Sequence, residues 1–372
     1  MAVVTSKPRT PPTAWQRFKS GNLSDTQLGF LLLTPALLTL ALVMFYPIAN
    51  VLWRSLHFER LNQPQRGTPF IGLEHFREML WGREMTWDAV NQWPLRLLAL
   101  LVIGIILWLA VKGNLKRSHA AYWTLTLLAF AFLLGFHPGE EGRWNDRRFW
   151  NSFQITWLII IVSVSGAFLV GLPLALMANI KSRWRWLARI ALLVPWVMPR
   201  VFVGIVFAWM FNSTQGVIND LLSRVGITGP LWLSREIPAI VVVNLTIIWT
   251  TSSFVALILL AGLQSIDESL LEAAHGDGAN PWQRFWHIIL PLLRPAIAVA
   301  LIFRTLTAFQ TFDIPYALTN GGPGRTLEVL GIYIQRTTSS LDLGYAAALS
   351  VMLFLMSLGV TIIYLRWIYR DD

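Results

Sequence analysis

The amino-acid sequence predicts an all-α polytopic membrane protein with about eight transmembrane helices. Of its 372 residues, 55% are hydrophobic and only 13% are charged. That charged share is about half of what soluble domains carry, which argues against a water-soluble globule and against a disordered chain. The apolar residues also cluster in runs of about 20, the length that a helix needs to cross a bilayer.

Eight apolar runs carry charges only near their ends and are therefore the candidate spans. A helix satisfies its backbone hydrogen bonds internally, which the hydrocarbon core of a bilayer requires. The second and third runs are near the short end of the spanning range. The eight runs are residues 28–53, 94–111, 120–136, 153–180, 187–211, 239–263, 291–311 and 345–369.

Basic residues give the predicted orientation. Lys and Arg favour cytoplasmic loops, and every Lys in the chain falls on the same side of the predicted spans. We therefore expect both termini in the cytoplasm. The first run is about 26 residues long and lacks a small-residue cleavage site, so it is expected to be a retained span rather than a secretory signal.

The composition argues against several kinds of chemistry. The net charge of +10 is spread over short loops, which is not the clustered pattern of a nucleic-acid partner. The chain has no Cys for a thiolate, no His pair at metal spacing, and no Gly followed by Lys. A P-loop needs that Gly-Lys pair to hold phosphate. No ATP site, metal site or catalytic residue is therefore predicted on this chain.

The long loop at residues 264–290 is predicted to be cytoplasmic and to contain two short helices. Ser265 or Asp267 can cap the first helix, and Gly278 permits the turn that follows it. Pro281 suits the first position of a second helix, because no N–H is needed there. The loop is therefore predicted to form a helix-turn-helix bracket.

One stretch of this loop has a distinctive spacing of acidic, small and apolar residues. It comprises Glu272, Ala273, Ala274, Asp277, Gly278, Ala279, Phe285, Ile288, Leu290 and Pro291. The pattern resembles the EAA loop of permease subunits of binding-protein-dependent ABC importers. The resemblance implies a type I ABC importer transmembrane domain in the cytoplasmic (inner) membrane. The residues that it implies for coupling to an ATPase are Glu272, Ala273, Ala274, Asp277, Gly278 and Ala279.

A second stretch narrows the resemblance. Phe312 and Asp313 precede a Gly-Gly-Pro sequence at 321–323, and Gly-Tyr-Ala-Ala-Ala-Leu-Ser follows at 344–350. This pattern is similar to sugar-importer permeases of the maltose and trehalose type. The resemblance implies a second homologous permease subunit, an ATPase subunit dimer that holds ATP and Mg, an external substrate-binding protein, a sugar substrate and surrounding membrane lipid.

The resemblance covers roughly residues 28–80 and 148–368 and divides the chain into three parts. Residues 1–27 form a cytoplasmic tail. Residues 28–147 hold the first span, an external segment and an inserted two-span hairpin, and residues 148–372 form the permease core. The hairpin, within residues 81–147, has no counterpart in six-span members. Its role stays open.

Arg304 is the main candidate for the substrate path, because a charge inside a span is expensive and is by default functional. It shares one helical face with Thr307 and Thr311. By resemblance, this face and one on the preceding span contact sugar. The implied residues are Thr250, Thr251, Phe254, Arg304, Thr307 and Thr311. A structural role for Arg304 stays open, as does glycerol phosphate or another polyol as the substrate.

Two further features of the spans bear on the alternatives. Pro195 and Pro199 interrupt the fifth run, and Arg200 follows them; a kink is predicted there rather than a gate. An ATP-independent secondary transporter would need an acidic residue near the middle of a span for ion coupling. None of the eight runs has one, so this class is disfavoured.

Overall fold

The chain is almost entirely helical wherever its structure is described. The computed structural model describes residues 25–81, 85–88, 93–112, 117–133, 136–138, 146–180 and 182–368. The predicted tail at residues 1–27 lies outside these residues except for its last three, and so does Tyr369, the predicted end of the eighth span.

Seventeen α-helices and two π-helical turns account for most of the described residues. In chain order they are α1 (Asp25–Leu40), a π-helical turn (Ala41–Phe45), α2 (Tyr46–Ser55), α3 (Glu74–Leu80), α4 (Trp93–Val111), α5 (Arg117–Leu133), α6 (Arg147–Asn179), α7 (Arg185–Val197), α8 (Arg200–Met210), α9 (Val217–Arg224), α10 (Glu236–Gln264), α11 (Glu268–Gly276), α12 (Pro281–Arg284), a π-helical turn (Phe285–Ile289), α13 (Leu290–Leu292), α14 (Arg294–Phe309), α15 (Asp313–Thr319), α16 (Leu330–Ser339) and α17 (Leu343–Ile368).

Six of the eight predicted spans have a helix or a bent helix pair of spanning length. Four are single long apolar stretches, namely Leu28–Ser55, Arg147–Asn179, Glu236–Gln264 and Leu343–Tyr364. Two are bent pairs, α7 with α8 and Pro281–Leu292 with α14. The all-α membrane fold predicted from composition is therefore confirmed, although the described residues give four crossings on this criterion, or up to six if each bent pair is one span.

The fifth predicted span is not a straight crossing. Helices α7 and α8 meet at an angle of 92°, which is larger than a simple proline kink. Met198 has an extended backbone (φ −67°, ψ 137°) and Pro199 is the N-cap of α8. Proline disfavours a helical conformation in the residue before it and cannot donate to the helix. The break is therefore at Pro199, whereas Pro195 lies inside α7.

The inserted hairpin consists of α4 and α5 packed on each other. Their apolar parts, Pro94–Ala110 and Trp123–Phe132, are shorter than the other spans. The Arg96 side chain donates from Nε to the carbonyl of Ala131 at 2.8 Å. Two short antiparallel strands, β1 (Met85–Trp87) and β2 (Phe136–Pro138), join the open end of the hairpin. A total of eight membrane crossings stays a prediction.

Helices α6 and α10 form the centre of the bundle and run in the same direction. Gly166 on α6 contacts Ile248 on α10, and a Cβ added at Gly171 would lie 2.9 Å from the carbonyl oxygen of Ser252. Small residues let two helix backbones approach this closely. The two contacts advance together along both helices, so α6 and α10 are parallel.

Helix α14 packs against this pair in the opposite direction. A Cβ added at Gly262, near the end of α10, would contact Ala296 near the start of α14. At the other end of α14, Ala308 packs with Ile160 in the first half of α6. The antiparallel arrangement leaves two distinct ends of the bundle. We call them the α11 end, which carries α11 to α13, and the α16 end, which carries α9, α15 and α16.

Candidate functional site

A polar recess lies where α8, α10, α14 and α15 meet. It is small and partly open, and its empty space, counted out into open solvent, is about 310 Å³. The lining residues are Arg200, Ile247, Thr250, Thr251, Arg304, Thr307, Thr311, Phe312, Asp313 and Ile314. Five of the six residues predicted for the substrate path, from helices far apart in sequence, therefore meet in one recess.

Arg304 is the most deeply buried charged residue of the recess, with 1% of its surface exposed. Its Nη2 donates to the Ser163 hydroxyl on α6 at 2.7 Å, while its Nε is buried with no hydrogen-bond partner among the described residues. A guanidinium has five N–H donors. The neutral hydroxyl therefore satisfies only part of its capacity.

Arg200 is a recess residue that the sequence analysis did not assign. The 92° turn after Val197 places Arg200 at the start of α8, where its exposed side chain lines the recess opposite α14. A signal was available, because Arg200 is also a charge inside an apolar run. A predicted kink does not show which way the Arg200 side chain points. The observed angle of 92° does, because it turns the start of α8 toward the recess.

The threonine hydroxyls of the recess are oriented by their own helices. Thr251 donates to the carbonyl of Ile247 at 2.7 Å, and Thr307 donates to the carbonyl of Arg304 at 2.9 Å. Thr250 likewise donates to the carbonyl of Ile247 at 2.9 Å. A hydroxyl that has given its proton to the backbone keeps lone pairs free to accept. The recess thus combines guanidinium donors with hydroxyl acceptors.

Phe254 is the one predicted substrate-path residue that does not line the recess. It lies one turn beyond Thr251 on α10 and stacks on Trp196 of α7, with ring centroids 5.7 Å apart and planes at 22°. The bend between α7 and α8 places Trp196 against that part of α10. The sequence grouped Phe254 with Thr250 and Thr251 by helical spacing alone. Spacing does not show which neighbouring helix a side chain will contact.

The bracket at the α11 end consists of α11, the turn 277–280 and α12. Its predicted caps are confirmed. The Asp267 carboxylate accepts from the backbone N–H of Ser269 at 2.9 Å, and this hydrogen bond holds the Asp267 pKa below its ordinary value. Gly278 takes the left-handed conformation (φ +82°) that ends the first helix. Pro281 begins α12.

A capping box at α12 was not predicted. The Asn280 side chain accepts from the backbone N–H of Gln283 at 2.8 Å, and the Gln283 side chain accepts from the backbone N–H of Asn280 at 2.9 Å. The signal was present as an Asn followed three residues later by a Gln. The reciprocal pair fixes the angle at which α12 leaves the turn.

The predicted coupling residues lie on the outside of the bracket. Glu272, Ala273, Asp277 and Gly278 are exposed, while Ala274 and Ala279 are half-buried. Within the part of the chain that the structure describes, Glu272 has no hydrogen-bond or ion-pair partner. An exposed acid beside two small residues is available for a second chain.

A cleft lies between the bracket and the start of α7. Its charged lining comprises Arg185, Arg189, Glu268, Glu272, His275 and Arg284. The Nε atoms of Arg189 and Arg284 are buried and have no hydrogen-bond partner among the described residues. Both signs of charge therefore face one cleft.

A buried ionic cluster supports the recess from the α16 end. Glu328, in the segment between α15 and α16, is 0% exposed. Arg148 at the start of α6 donates to it at 2.6 Å, and Arg336 of α16 donates at 2.8 Å. Burial by itself raises the pKa of the Glu328 carboxyl, but the two guanidiniums outweigh it and hold the pKa below its ordinary value.

The same cluster fixes the first turn of α6. Asp146 caps α6 by accepting from the backbone N–H of Arg148 at 2.9 Å, and it also accepts from the hydroxyls of Tyr333 and Tyr345. Burial and the hydrogen bond to Asp146 raise the pKa of the Tyr333 hydroxyl. Helices α6, α16 and α17 are therefore tied together beside α15, whose first residues line the recess.

Comparison with known proteins identifies relatives along most of the chain. The family described as the binding-protein-dependent transport system inner membrane component matches residues 167–370. The sulfoquinovosyl glycerol transport system permease protein SmoG of Agrobacterium fabrum is 46% identical over 284 residues, which cover 74% of this chain and 92% of the relative. The trehalose/maltose transport system permease protein MalF of Thermococcus litoralis is 30% identical over 342 residues, which cover 92% of this chain and 94% of the relative.

Solved structures show the same fold. A chain of a bacterial ABC transporter involved in the import of the acidic polysaccharide alginate superposes with a TM-score of 0.67 at 19% identity, covering 96% of this chain and 98% of that one. So few residues stay unmatched that much of the inserted hairpin at 81–147 must have a counterpart there. The family match, the two relatives and the shared fold agree that this chain belongs to the inner membrane components of binding-protein-dependent transport systems.

Proposed function

We propose that this chain is a transmembrane subunit of an ABC importer that carries a saccharide across the cytoplasmic membrane, with both termini in the cytoplasm. The observation that carries the proposal is the recess, in which five predicted substrate-path residues from α10 and α14 lie together. The permease names of the relatives, for sulfoquinovosyl glycerol and for trehalose or maltose, support a saccharide as the substrate.

The chemistry of the recess suits a sugar. Binding sites for small polar molecules combine apolar walls with a few well-placed polar groups. Here Ile247, Phe312 and Ile314 supply apolar surface, and the threonine hydroxyls supply acceptors. Guanidinium groups supply donors that fit sugar oxygens.

Energy for transport is proposed to come from a separate ATPase. The chain has no Gly-Lys pair for a P-loop, so ATP and Mg would be held by partner subunits. The bracket would dock on such a subunit through Glu272 and its two small neighbours. Its capped helices make it stiff. A π-helical turn and α13 connect it to α14, with a bend of 65° before α14, so a push on the bracket would move α14 and the recess side chains on it.

The remaining partners follow from the shape of the proposed machine. A second, homologous permease subunit would complete the substrate path, and an external substrate-binding protein would deliver saccharide at the α16 end. A solved alginate transporter of the same fold is described in complex with an alginate pentasaccharide-bound periplasmic protein. Most of the surface of α1 is apolar and exposed, which fits contact with lipid.

Two substitutions in the bracket test the proposal. We expect Glu272→Lys and Gly278→Asp to lower uptake of labelled saccharide at least tenfold while the protein still inserts. The first change reverses the charge that the partner subunit would meet, and the second adds a side chain to a turn that needs positive φ. Uptake is measured in cells that make the complete transporter, with membrane abundance measured by immunoblot.

Glu74→Lys is the matched control, because Glu74 is an exposed acid in the first turn of α3, away from the bracket. Its uptake should equal that of the unmodified chain. Normal uptake by Glu272→Lys at normal abundance would contradict the coupling role. Uptake of no saccharide by the unmodified transporter would contradict the proposed function itself.

A further inference from the structure

The recess carries more positive charge than a neutral sugar needs. Arg200 and Arg304 both line it, and Asp313 is its single acidic lining residue. Among the described residues, no ion pair within 4 Å joins Asp313 to either guanidinium. Two like charges in one small recess repel each other, and a charge within a span is costly without a partner.

Among the described residues of this chain, no structural partner accounts for the full donor set of Arg304. Structural arginines within spans pair with carboxylates or with backbone carbonyls. Arg304 instead has one neutral partner, the Ser163 hydroxyl at 2.7 Å, and a buried Nε without any partner among the described residues. Its side chain is 1% exposed and borders the recess. This guanidinium therefore retains donors for something that enters the recess.

We infer that the recess binds the acidic group of a saccharide, a sulfonate or a carboxylate, between Arg200 and Arg304. Guanidinium groups donate pairs of parallel hydrogen bonds to such planar or tripodal oxygens. The hydroxyls of Thr250, Thr251 and Thr307 accept from the sugar ring at the same time. The inference rests on the proposed saccharide import and names its substrate class as acidic glycosides.

The two arginines have different parts in this arrangement. Arg304 is fixed by Ser163 and by its burial, so it offers a rigid donor set at the closed side of the recess. Arg200 is exposed at the first turn of α8, so it can approach the acidic group from the open side. Removal of either guanidinium should therefore lower the uptake of acidic glycosides more than it lowers the uptake of neutral glycosides.

A matched series of glycosides tests this in the assembled transporter, reconstituted with its binding protein and ATPase subunits in proteoliposomes. The probes are sulfoquinovosyl glycerol, glucuronosyl glycerol and glucosyl glycerol, which carry a sulfomethyl, a carboxylate or a hydroxymethyl group at the same ring position. Glycerol phosphate is a fourth probe. The measured quantity is the ratio of acidic to neutral glycoside uptake, because the contribution of the binding protein to that ratio is the same for all variants.

We expect the unmodified transporter to favour an acidic glycoside, and Arg200→Gln and Arg304→Gln each to lower the ratio at least tenfold. Arg224→Gln is the matched control, since Arg224 is exposed on α9 and pairs with the neighbouring Asp220. Arg200→Gln keeps the test decisive if Arg304→Gln fails to fold, because the side chain of Arg200 is exposed.

Other results would overturn the inference. An unchanged ratio in Arg200→Gln would remove that guanidinium from charge selection. Uptake of glucosyl glycerol alone would overturn the acidic substrate class while leaving saccharide import in place. Uptake of glycerol phosphate without any glycoside would overturn both this inference and the proposed function. Uptake of none of the four probes would overturn this inference, while saccharide import itself is decided by the uptake test of the proposed function.

Discussion

At the scale of single residues, Glu328 is the buried carboxylate that holds two guanidiniums together at the α16 end. Its carboxylate is fully buried and accepts from Arg148 and Arg336. Removing one member of a buried ion pair leaves its partners without countercharge and costs about 3–5 kcal/mol. We expect Glu328→Gln to lower the free energy of unfolding by about 3 kcal/mol, measured as a lower Tm of the purified protein in detergent.

Acid titration provides a second test of the stabilising role of Glu328. The Glu328 pKa in the folded protein lies below its ordinary value of 4.5, so its contribution to stability is complete above that pH. It is lost as pH falls through the folded pKa. The Tm difference between the unmodified protein and Glu328→Gln should therefore shrink below about pH 4.5.

The control for this pair of measurements is Asp220→Asn, which removes one partner of the exposed Arg224–Asp220 pair. Exposed pairs contribute about 0–1 kcal/mol, so its Tm should stay close to that of the unmodified protein. A Tm for Glu328→Gln as high as that of Asp220→Asn would contradict the role assigned to the buried cluster.

At the scale of helices, the contact between α6 and α10 depends on glycine. A Cβ at Gly171 would lie 2.9 Å from the carbonyl oxygen of Ser252 and 3.0 Å from Val255. Because a backbone oxygen cannot move aside alone, a larger residue must push the helices apart. We expect Gly171→Leu to lower the free energy of unfolding by about 1–3 kcal/mol, again measured as Tm in detergent.

Gly359 on α17 supplies the matched control. A Cβ there meets nothing within 4 Å, so Gly359→Leu adds the same side chain without forcing two helices apart. Its Tm should not fall. Equal losses of Tm in Gly171→Leu and Gly359→Leu would show that helix propensity or expression, rather than the α6–α10 contact, sets the effect.

The helices also show which features local sequence determines. Asp267, Gly278 and Pro281 were predicted in their capping roles because a cap depends on residues two to four positions away. Pro199 predicted a break for the same local reason. The angle of 92° at that break was not predictable, because it depends on how α7 and α8 pack against α10 and α15.

Residue spacing along the chain does not predict contacts between distant segments. Nothing local indicates that Glu328 pairs with Arg148, which lies 180 residues earlier, or that Arg304 donates to Ser163. The recess was partly predictable, since Arg304 and its threonines share helical faces. Arg200 was missed and Phe254 lies outside the recess, because both positions depend on the bend between α7 and α8.

At the scale of the whole molecule, the parallel pair of α6 and α10 and the reversed α14 give the bundle two different ends. The predicted cytoplasmic loop, with its bracket, lies at the α11 end, whereas α9, α15 and α16 lie at the other. Helices α4 and α5 pack mainly on each other. With each bent pair counted as one span, whether this hairpin crosses the membrane determines whether the chain makes six or eight crossings.

A thiol-labelling experiment measures this directly, because the chain contains no Cys and each introduced Cys is therefore the only labelled residue. Lys112 is exposed just after α4, Ser269 is exposed on the bracket, and Ser223 is exposed on α9. In intact spheroplasts we expect a membrane-impermeant maleimide to label Ser223→Cys at once. Ser269→Cys and Lys112→Cys should react only after the membrane is permeabilised.

The physical reason for this expectation is the distribution of basic residues. Lys112, Lys116 and Arg117 follow α4 closely, and such clusters favour the cytoplasmic side of the membrane. Helix α4, at 19 residues, is long enough to cross a bilayer core of about 30 Å with slight local thinning. Labelling of Lys112→Cys in intact spheroplasts, with Ser269→Cys still protected, would show that α4 and α5 do not cross and that the chain makes six crossings.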